Sequence, residues 1–252
     1  MSNFYHTTKG LALKLIPNQL LHRLEPGLRR IAAIPYYGNK YHCNICKTSL
    51  KQFIHLSRGD KLCPVCGSLP RHRRLWDLLH TKFMPEGHLL HFSPSRSMAK
   101  QLHARKPLDY LTTDFEGKLF TDVQYDITAI PEEDNSFDQI ICYHVLEHIP
   151  DDQAAIKELY RVLKPNGHVL IQTPFKKGDI YENETVQSPT ERLQHFGQED
   201  HVRIYSANGL KERLEQNGFQ VQTLIFHESD ERQKKLQLKK EEIILVARKP
   251  IL

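Results

Sequence analysis

The sequence predicts an α/β fold, and three features between residues 126 and 174 support this prediction. Residues 137–145 form a nearly continuous apolar run after turn-forming residues, as expected of a strand that is covered on both faces. Apolar side chains then recur at helical spacing between residues 156 and 163, after Pro150 and two aspartates that suit a helix start. Residues 168–173 form a second apolar run. Two strands joined through a helix are almost always parallel, with a right-handed connection.

The first segment of the chain, residues 1–40, is predicted to be helical and basic. Residues 11–34 mix apolar side chains with lysine and arginine, which suits either binding to a membrane surface or packing against the protein body. Pro17 and Pro26 favour short packed helices over one long amphipathic helix, because proline has no N–H to donate inside a helix. Peripheral membrane contact is the alternative.

Residues 41–84 are predicted to form a zinc ribbon with a linker helix, because four of the five cysteines form two C-x2-C pairs. Each pair places two thiolates on one tight turn, and two such turns complete the tetrahedral shell of a structural Zn²⁺ ion. Disulfides and unrelated buried thiols are the alternatives, which a cytosolic chain and the paired spacing disfavour. The predicted zinc ligands are Cys43, Cys46, Cys63 and Cys66.

A basic cluster follows the ribbon, and leucines at helical spacing follow the cluster. This pattern predicts a helix that docks the ribbon to the main domain. The cluster is Arg71-His72-Arg73-Arg74, which suits either contacts with phosphates or a solvated helix start. His72 is expected to be a surface or packing histidine.

The main domain is predicted at residues 85–252, with its first strand at 88–92 and its second at 110–113. Later elements follow from capping and turn residues. Ser206 starts a helix that Asn217-Gly218 ends, strands are predicted at 219–226 and 242–248, and lysine-rich residues 231–242 predict a linker or a hairpin arm.

Composition and charge restrict the class of protein. A chain of 252 residues with 39% hydrophobic and 26% charged residues suits one enzyme domain with a small module, and excludes a fibrous or largely disordered protein. Without an 18-residue apolar run or a secretory signal pattern, we expect a cytoplasmic protein. Residues 1–84 carry 14 Lys/Arg against 3 Asp/Glu, and the remainder carries 21 against 27. This basic front suits an anionic partner such as RNA, a nucleotide-linked substrate or a membrane, or is a solvated face.

Two motifs resemble those of class I S-adenosylmethionine-dependent methyltransferases, in particular the methyltransferase type 11-like branch. They are FDQIICYHVLEHI at residues 137–149 and RVLKPNG at residues 161–167. The resemblance extends from about residue 88 to the C-terminus. It implies a doubly wound, Rossmann-like sheet of seven strands with an antiparallel last strand, here carrying a small N-terminal zinc-ribbon lobe. It also implies S-adenosyl-L-methionine as the methyl donor.

The resemblance places the cofactor at the carboxyl ends of the first strands. Most family members have a glycine-rich turn there, but this chain has no glycine between Gly87 and Gly117 and resembles a glycine-poor branch. Asp114 is expected to accept hydrogen bonds from the ribose, and Asp126 with Ile127 to contact the adenine. The expected cofactor-binding residues are Phe92, Ser93, Pro94, Ser95, Asp114, Asp126, Ile127, Cys142 and Tyr143.

Two histidines are candidates for proton transfer. His144 ends a strand at the ligand-binding edge, where it serves either as a base or as a scaffold histidine. The polar loop at residues 174–205 is expected to cap the acceptor side. Its sequence FGQEDHVRIY resembles the same branch, which implies that His201 is a base or an acceptor ligand. Alternatively, His201 and Arg203 staple the loop by bonding carboxylates. The expected catalytic residues are His144 and His201, and the expected acceptor-binding residues are His195, His201 and Arg203.

Three functional hypotheses follow from the sequence. The first is a methyltransferase whose acceptor is a small molecule or a sugar or glycan. The second is a methyltransferase that acts on RNA bound through the basic N-terminal region. The third is a catalytically inactive, zinc-dependent scaffold, because the glycine-poor turn could mark a lost site. Binding of the cofactor separates the third hypothesis from the other two.

Overall fold

The computed structural model describes residues 18–57, 59–117, 121–227 and 231–251, with side chains from residue 24 onward. These residues form two compact units. The first comprises the described parts of Met1–Met84 and Glu228–Lys240, and the second comprises those of Pro85–His227 and Glu241–Leu252.

The elements are named here in chain order. The helices are α1 (Asn18–Ala32), α2 (Pro70–Thr81), α3 (Arg96–His103), α4 (Asp152–Val162), α5 (Pro189–Phe196), α6 (Ala207–Gln216) and α7 (Glu231–Leu236). The strands are β1 (Tyr37–Cys43), β2 (Thr48–Leu50), β3 (Ile54–His55), β4 (Lys61–Leu62), β5 (His88–Phe92), β6 (Asp109–Thr113), β7 (Phe137–Tyr143), β8 (Leu163–Gln172), β9 (Tyr181–Glu182), β10 (Arg203–Ile204), β11 (Gln220–His227) and β12 (Glu241–Arg248). Short 3-10 turns lie at Ile34–Tyr36 and Leu146–His148.

Helix α1 differs from the expectation of short helices separated by prolines. Pro26 lies inside this single helix, and Pro17 lies outside the described residues. The ion pair between Glu25 and Arg29, at 2.7 Å, spans the proline on the helix surface, and such pairs stabilise a helix across a weakened turn. The apolar side chains of Leu24, Leu28 and Ile31 are exposed, with 46, 50 and 67% of their surface accessible. Contact with a membrane stays a prediction.

Residues 231–242 do not form the linker or hairpin arm that the sequence predicts. They contain α7, which belongs to the first unit, so the predicted continuous domain at residues 85–252 is interrupted. Buried Arg73 explains this arrangement, because its guanidinium donates to the carbonyl oxygens of Leu236 at 2.8 Å and Gln237 at 3.0 Å. Leu236 itself is buried.

The second unit is built on a sheet with the strand order β11-β12-β8-β7-β5-β6. Strands β5 to β8 are parallel, and β12 is antiparallel to its two neighbours, β8 and the edge strand β11. The predictions of an α/β fold with a mainly parallel sheet and an antiparallel last strand are confirmed. The carboxyl ends of β5, β6 and β7 therefore lie side by side.

The sheet has six strands among the described residues, whereas the family resemblance implies seven. The difference follows β6, where Thr113 and Val123 form a single parallel bridge instead of a strand pair. A parallel crossover normally needs a dozen or more residues and usually a helix. The chain between Thr113 and Val123 is shorter than that, which agrees with the single residue pair seen there among the described residues.

Helix α4 begins where the sequence predicts, because Asp151 caps it. The backbone N–H of Ala154 donates to Asp151 Oδ1 at 2.9 Å. Ile156 and Leu159 on its apolar face are fully buried in the same core as Ile140 of β7. This packing covers one face of the sheet and leaves its carboxyl edge to loops.

Candidate functional site

The second unit contains a cavity of about 740 Å³ at the carboxyl ends of β5, β6 and β7. Open α/β sheets bind ligands at this edge. Cavities of roughly 300 to 1,000 Å³ are typical of small-molecule sites. The predicted site residues that line this cavity are Phe92, Ser93, Asp114, Asp126, Ile127 and His144.

Four predicted cofactor-binding residues lie outside the lining of this cavity: Pro94, Ser95, Cys142 and Tyr143. Pro94 and Ser95 lead into α3, with Ser95 at its N-cap position. Cys142 is fully buried within the core of the sheet, and burial raises the pKa of its thiol. A buried neutral thiol of this kind packs as a small apolar group.

Sequence reasoning missed several residues of the lining. Phe115 and Tyr125 face the cavity beside Asp114 and Asp126, their immediate neighbours in the chain. Adjacency to the predicted acidic residues is the signal that could have found them. His148 also lines the cavity, although its sequence context predicts no role in binding.

The turn after β5 adopts a glycine-like conformation without a glycine. Ser93 has a φ of +47°, and its backbone N–H donates to the carbonyl oxygen of Thr113 at 2.7 Å. Left-handed backbone costs a non-glycine residue roughly 1 to 2 kcal/mol. The chain thus forms the sharp turn at the cavity with serine, at the expense of local strain.

The two predicted acidic contacts lie on ordered turns. Asp114 is buried, and its Oδ1 accepts a hydrogen bond from the N–H of Gly117 at 2.5 Å. Asp126 Oδ1 accepts from the N–H and hydroxyl of Thr128, at 2.8 and 2.7 Å. These bonds fix both carboxylates at the cavity lining. Ile127, which is predicted to contact the adenine together with Asp126, is buried and apolar.

A cluster of histidines and a glutamate lies at one side of the cavity. Ligand atoms of Glu147, His148 and His201 all lie within 4.8 Å of one another. His144 adds a fourth group, with its Nδ1 3.0 Å from Glu147 Oε1. The N–H of Val202 donates to the carbonyl oxygen of Glu147 at 2.9 Å, which holds the loop that carries His201 against the 3-10 turn.

His201 is buried, and burial together with the neighbouring His148 lowers the pKa of its imidazole. The rings of these two histidines meet edge to face, with centroids 4.7 Å apart. One ring nitrogen, Nε2, lies 2.8 Å from the amide nitrogen of Gln198. A lowered pKa favours the neutral imidazole, which is the form that accepts protons and binds metals.

The predicted acceptor-binding residue Arg203 donates its hydrogen bonds to acceptors within the protein. Its guanidinium is buried and donates to the carbonyl oxygens of Ile149 and Pro150 and to a carboxylate oxygen of Glu182 at 3.0 Å. Arg213 pairs with the same glutamate. These bonds correspond to the loop-staple alternative from the sequence analysis, since they leave the guanidinium buried against protein acceptors.

The other predicted acceptor-binding residue, His195, lies on α5 and outside the lining of the cavity. Its Nδ1 lies 2.6 Å from the hydroxyl of Tyr181, and the two rings stack with centroids 6.1 Å apart. The structure brings His144 and His201 into one cluster but leaves His195 in a separate aromatic contact.

The four cysteines of the first unit lie close enough to share one ion. The Sγ atoms of Cys43 and Cys66 are 3.6 Å apart, and those of Cys46 and Cys63 are 3.8 Å apart. Four sulfurs placed tetrahedrally at about 2.3 Å from a zinc ion are separated by about 3.8 Å. Contact with Cys46 lowers the pKa of Cys43, whereas contact with Cys43 raises the pKa of Cys63. A divalent cation stabilises all four thiolates together, so the cluster fits structural zinc.

The basic cluster after the ribbon is not a solvated surface throughout. Arg73 is 0% and Arg74 is 2% exposed, so neither side chain is available to bind phosphates as the sequence analysis considered. Desolvation lowers the pKa of Arg73, which donates four strong hydrogen bonds to carbonyl oxygens. His72 Nδ1 accepts from the N–H of Leu69 at 3.2 Å, which agrees with its predicted packing role.

A family model described as a methyltransferase domain matches residues 92–224. The chain belongs to this methyltransferase family. The matched residues begin at the end of β5 and include every residue that lines the cavity. The fold of the methyltransferase domain is therefore that of the class I S-adenosylmethionine-dependent enzymes, as the sequence motifs predict.

Curated relatives and solved structures resemble the methyltransferase domain at low identity. A probable S-adenosylmethionine-dependent methyltransferase from Mycolicibacterium smegmatis is 32% identical over 103 residues, which are 40% of this chain and 36% of that protein. A demethylmenaquinone methyltransferase from Listeria welshimeri is 23% identical over 154 residues, 60% of this chain and 59% of that protein. The chain thus spans less than two thirds of either relative. The crystal structure of the cyclase SpnF shares the fold, with a TM-score of 0.51, 16% identity and coverage of 93% of this chain and 96% of that one.

Across the residues that the structure describes, every helix is too short or too polar to cross a membrane.

Proposed function

We propose that the protein transfers a methyl group from S-adenosyl-L-methionine to a small-molecule or sugar acceptor. The observation that supports this proposal most directly is the cavity at the carboxyl edge of the sheet, with Asp114 and Asp126 in its lining. Its volume suits a cofactor with space beside it, whereas an extended RNA needs an open basic groove. The burial of Arg73 and Arg74 also removes two cations that an RNA acceptor would use.

The proposed roles of the acidic residues follow from their positions. Asp114, at the end of the second parallel strand, accepts hydrogen bonds from the ribose hydroxyls. Asp126 accepts from the exocyclic amine of the adenine, and Ile127 covers one face of the base. Ser93 brings the backbone of the first turn close to the methionine part of the cofactor.

The cofactor supplies an electrophilic methyl carbon on a sulfonium. The protein needs to place the acceptor in line with that carbon and to remove one proton from the acceptor. His144 lines the cavity, and its Nε2 is buried without a hydrogen-bond partner among the described residues, so we assign the proton to this nitrogen. We assign the four cysteines to a zinc ion. Its role is structural, because a closed four-sulfur shell leaves no position for substrate.

The resemblance to SpnF illustrates why fold alone does not decide the activity. SpnF is a cyclase by name, although its fold is shared over nearly its whole length. Cofactor binding is therefore the first property to test. It also separates methyl transfer from the hypothesis of an inactive scaffold.

We expect calorimetric titration of the zinc-loaded protein to show micromolar binding of S-adenosylmethionine and its demethylated product. Asp114→Asn should weaken binding at least tenfold, because the amide keeps the oxygen that bonds Gly117 but loses the charge that ribose hydroxyls favour. Asp109→Asn is the matched control, since Asp109 is exposed at the opposite end of the same strand. Binding that is absent in the folded wild type would contradict the proposal and favour the scaffold hypothesis.

A further inference from the structure

The most unusual buried group of the second unit is the carboxylate of Glu147. The residue is 1% exposed, and neither carboxylate oxygen has a hydrogen-bond partner among the described residues. The imidazole of His144 is close to it, with Nδ1 3.0 Å from Oε1, but without the geometry of a hydrogen bond. A buried, unbonded carboxylate is strongly disfavoured unless it is paired or coordinates a metal. A cation bound beside Glu147 would satisfy this carboxylate.

Two imidazoles share the position with this carboxylate. The ligand atoms of Glu147, His148 and His201 lie within 4.8 Å of one another, near the separation of at most about 4.4 Å that two ligands on one ion have when each is bound at about 2.0 to 2.2 Å. Two histidines with one carboxylate form a set that binds divalent transition metals and leaves coordination positions open. Their chemistry differs from that of the cysteine cluster, which favours softer ions.

The contacts around His148 and Glu147 resemble those of outer partners at metal sites, whereas Gln198 lies 2.8 Å from His201 Nε2, so Nδ1 of that ring is left to bind an ion when the Gln198 amide oxygen accepts from Nε2–H. His148 Nδ1 lies 3.3 Å from Asp200 Oδ2, which orients this ring and leaves Nε2 for an ion. His144 Nδ1 is placed to support the glutamate. The bond from Val202 N–H to the carbonyl of Glu147 fixes the two chain segments that supply the ligands.

The cluster also lies at the cavity. His144, His148 and Asp200 contribute to the cavity lining, so an ion held by the cluster faces the same space as the proposed cofactor. His144 has a φ of +55°, and non-glycine residues in this region cluster at functional sites. The strained residue is the one whose Nε2 remains without a partner among the described residues.

We propose that Glu147, His148 and His201 bind a divalent transition-metal ion that holds an oxygen acceptor for methylation. This inference rests on the proposed function for its substrate class, which is a small molecule with a hydroxyl group able to bind the ion. His144 Nε2 takes the hydroxyl proton. The oxygen lone pair forms the new O–CH₃ bond as the S–CH₃ electron pair returns to sulfur, so the products are the methyl ether, the neutral thioether and a protonated His144. The ion lowers the pKa of the hydroxyl and orients it.

Metal binding is tested on full-length protein whose cysteine site is already filled with zinc. Mn²⁺ is the probe, because it favours oxygen and imidazole ligands over thiolates, and electron paramagnetic resonance reports the free ion during the titration. We expect about one additional Mn²⁺ per chain. Glu147→Gln and His201→Gln should each weaken binding at least tenfold, whereas His195→Gln, on the separate aromatic contact, should leave it unchanged.

Two further measurements keep the outcome decisive. If Glu147→Gln fails to fold, His148→Gln and His201→Gln replace it, because both side chains are uncharged when ligating. Wild type that binds neither Mn²⁺ nor Co²⁺ beyond the zinc already present would overturn the metal site, and a gain in thermal stability for Glu147→Gln would then assign this residue as a strained buried acid.

The same samples are titrated with S-adenosylhomocysteine. If the protein binds S-adenosylhomocysteine but does not bind Mn²⁺, the metal site is rejected and the proposed function stands. If the protein binds Mn²⁺ but does not bind S-adenosylhomocysteine, the proposed function is rejected and the metal site stands.

Discussion

Two residues at the rim of the cavity adopt backbone conformations that favour glycine. Ser93 follows β5 with a φ of +47°, and His144 follows β7 with a φ of +55°. Both follow parallel strands at the carboxyl edge, where the chain must turn sharply away from the sheet. Strain of this kind persists where the surrounding structure holds it in place.

Replacing Ser93 with glycine is expected to stabilise the protein. Glycine adopts a positive φ without the cost to Cβ, and relief of that strain exceeds the added entropy of the unfolded chain, for a net gain of roughly 0.5 to 1 kcal/mol. Chemical denaturation followed by circular dichroism measures the change. Ser95→Gly is the control, since Ser95 has an ordinary φ of −66°, and it should lose a few tenths of a kcal/mol. Equal effects of the two substitutions would contradict the argument from strain.

His91 gives the second unit a predictable dependence on pH. The ring is buried in β5 beside the hydroxyl of Tyr110, and desolvation lowers its pKa from 6.5 to about 3. At a pH between about 3 and 6.5, His91 binds a proton in the unfolded chain but not in the folded chain, so stability falls as the pH falls below 6.5. From pH 7 to 5.5 this residue should contribute a loss of roughly 1 kcal/mol.

The variant His91→Asn keeps a hydrogen-bonding side chain and removes the titration. Its stability, measured by urea unfolding, should depend on pH less steeply than that of the wild type. Part of the slope remains, because burial also lowers the pKa of His168 to about 4. An unchanged slope in His91→Asn would refute the assignment.

The sequence predicts cavity residues well where they directly follow a strand. Asp114 and His144 are predicted as site residues from the positions of the strand ends, because a parallel sheet places the carboxyl ends of its strands together. The neighbourhood of Glu147 and His201 could not be reached in this way. These two residues meet only because the loop before β10 returns to the 3-10 turn, a tertiary contact with no local signal in the chain.

At the scale of elements, helix α2 is held by an arginine instead of an apolar side chain. Arg73 is fully buried over the ring of Phe53, with its Cζ 4.3 Å from the centroid. It donates to carbonyl oxygens at Lys61 and Ser68 as well as to those at the end of α7. One side chain therefore satisfies backbone acceptors from three parts of the first unit.

Arg73→Met should unfold the first unit or destabilise it by about 3 kcal/mol or more, because several buried carbonyl oxygens lose a charged donor. Trp76 is the single tryptophan of the chain and lies on the same helix, so its fluorescence reports on this unit. Arg71→Met, at a half-buried position of the helix, is the control and should cost less than about 1 kcal/mol. Similar losses in both variants would argue against a special role for Arg73.

The strands that precede and follow helix α4 were predicted where they lie, although β8 begins at Leu163 and not at residue 168, whereas the seventh strand and α7 were not predicted correctly. The seventh strand was inferred from the family, whereas the described residues show a single parallel bridge between Thr113 and Val123 at that place. Helix α7 was missed because its lysine-rich sequence has little apolar periodicity. Its position depends on partners far away in the chain, which propensity cannot indicate.

At the scale of the whole molecule, the chain passes between the two units three times. All residues that line the cavity belong to the second unit, and all four cysteines of the proposed zinc site belong to the first. The two proposed ligand sites thus depend on separate sets of residues.

Removing zinc with a strong chelator should unfold the first unit while cofactor binding persists. A small lobe that depends on four thiolates loses most of its folding free energy with the ion. Trp76 fluorescence should shift to longer wavelength, and titration with S-adenosylhomocysteine should still show binding within about threefold of the zinc-loaded protein, because the cavity contains no residue of the first unit. Loss of both signals together would show that the sites are coupled.

The split composition of the first unit also bears on how such a protein can change during evolution. A module at one end of a chain can be gained or lost through a single break in its gene. Here the module includes a second segment between β11 and β12, and Arg73 bonds to Leu236 across 163 positions of sequence. Recombination at a single point therefore separates two segments of the first unit that depend on each other for folding. We expect the ribbon and the inserted segment to be inherited or lost as a pair.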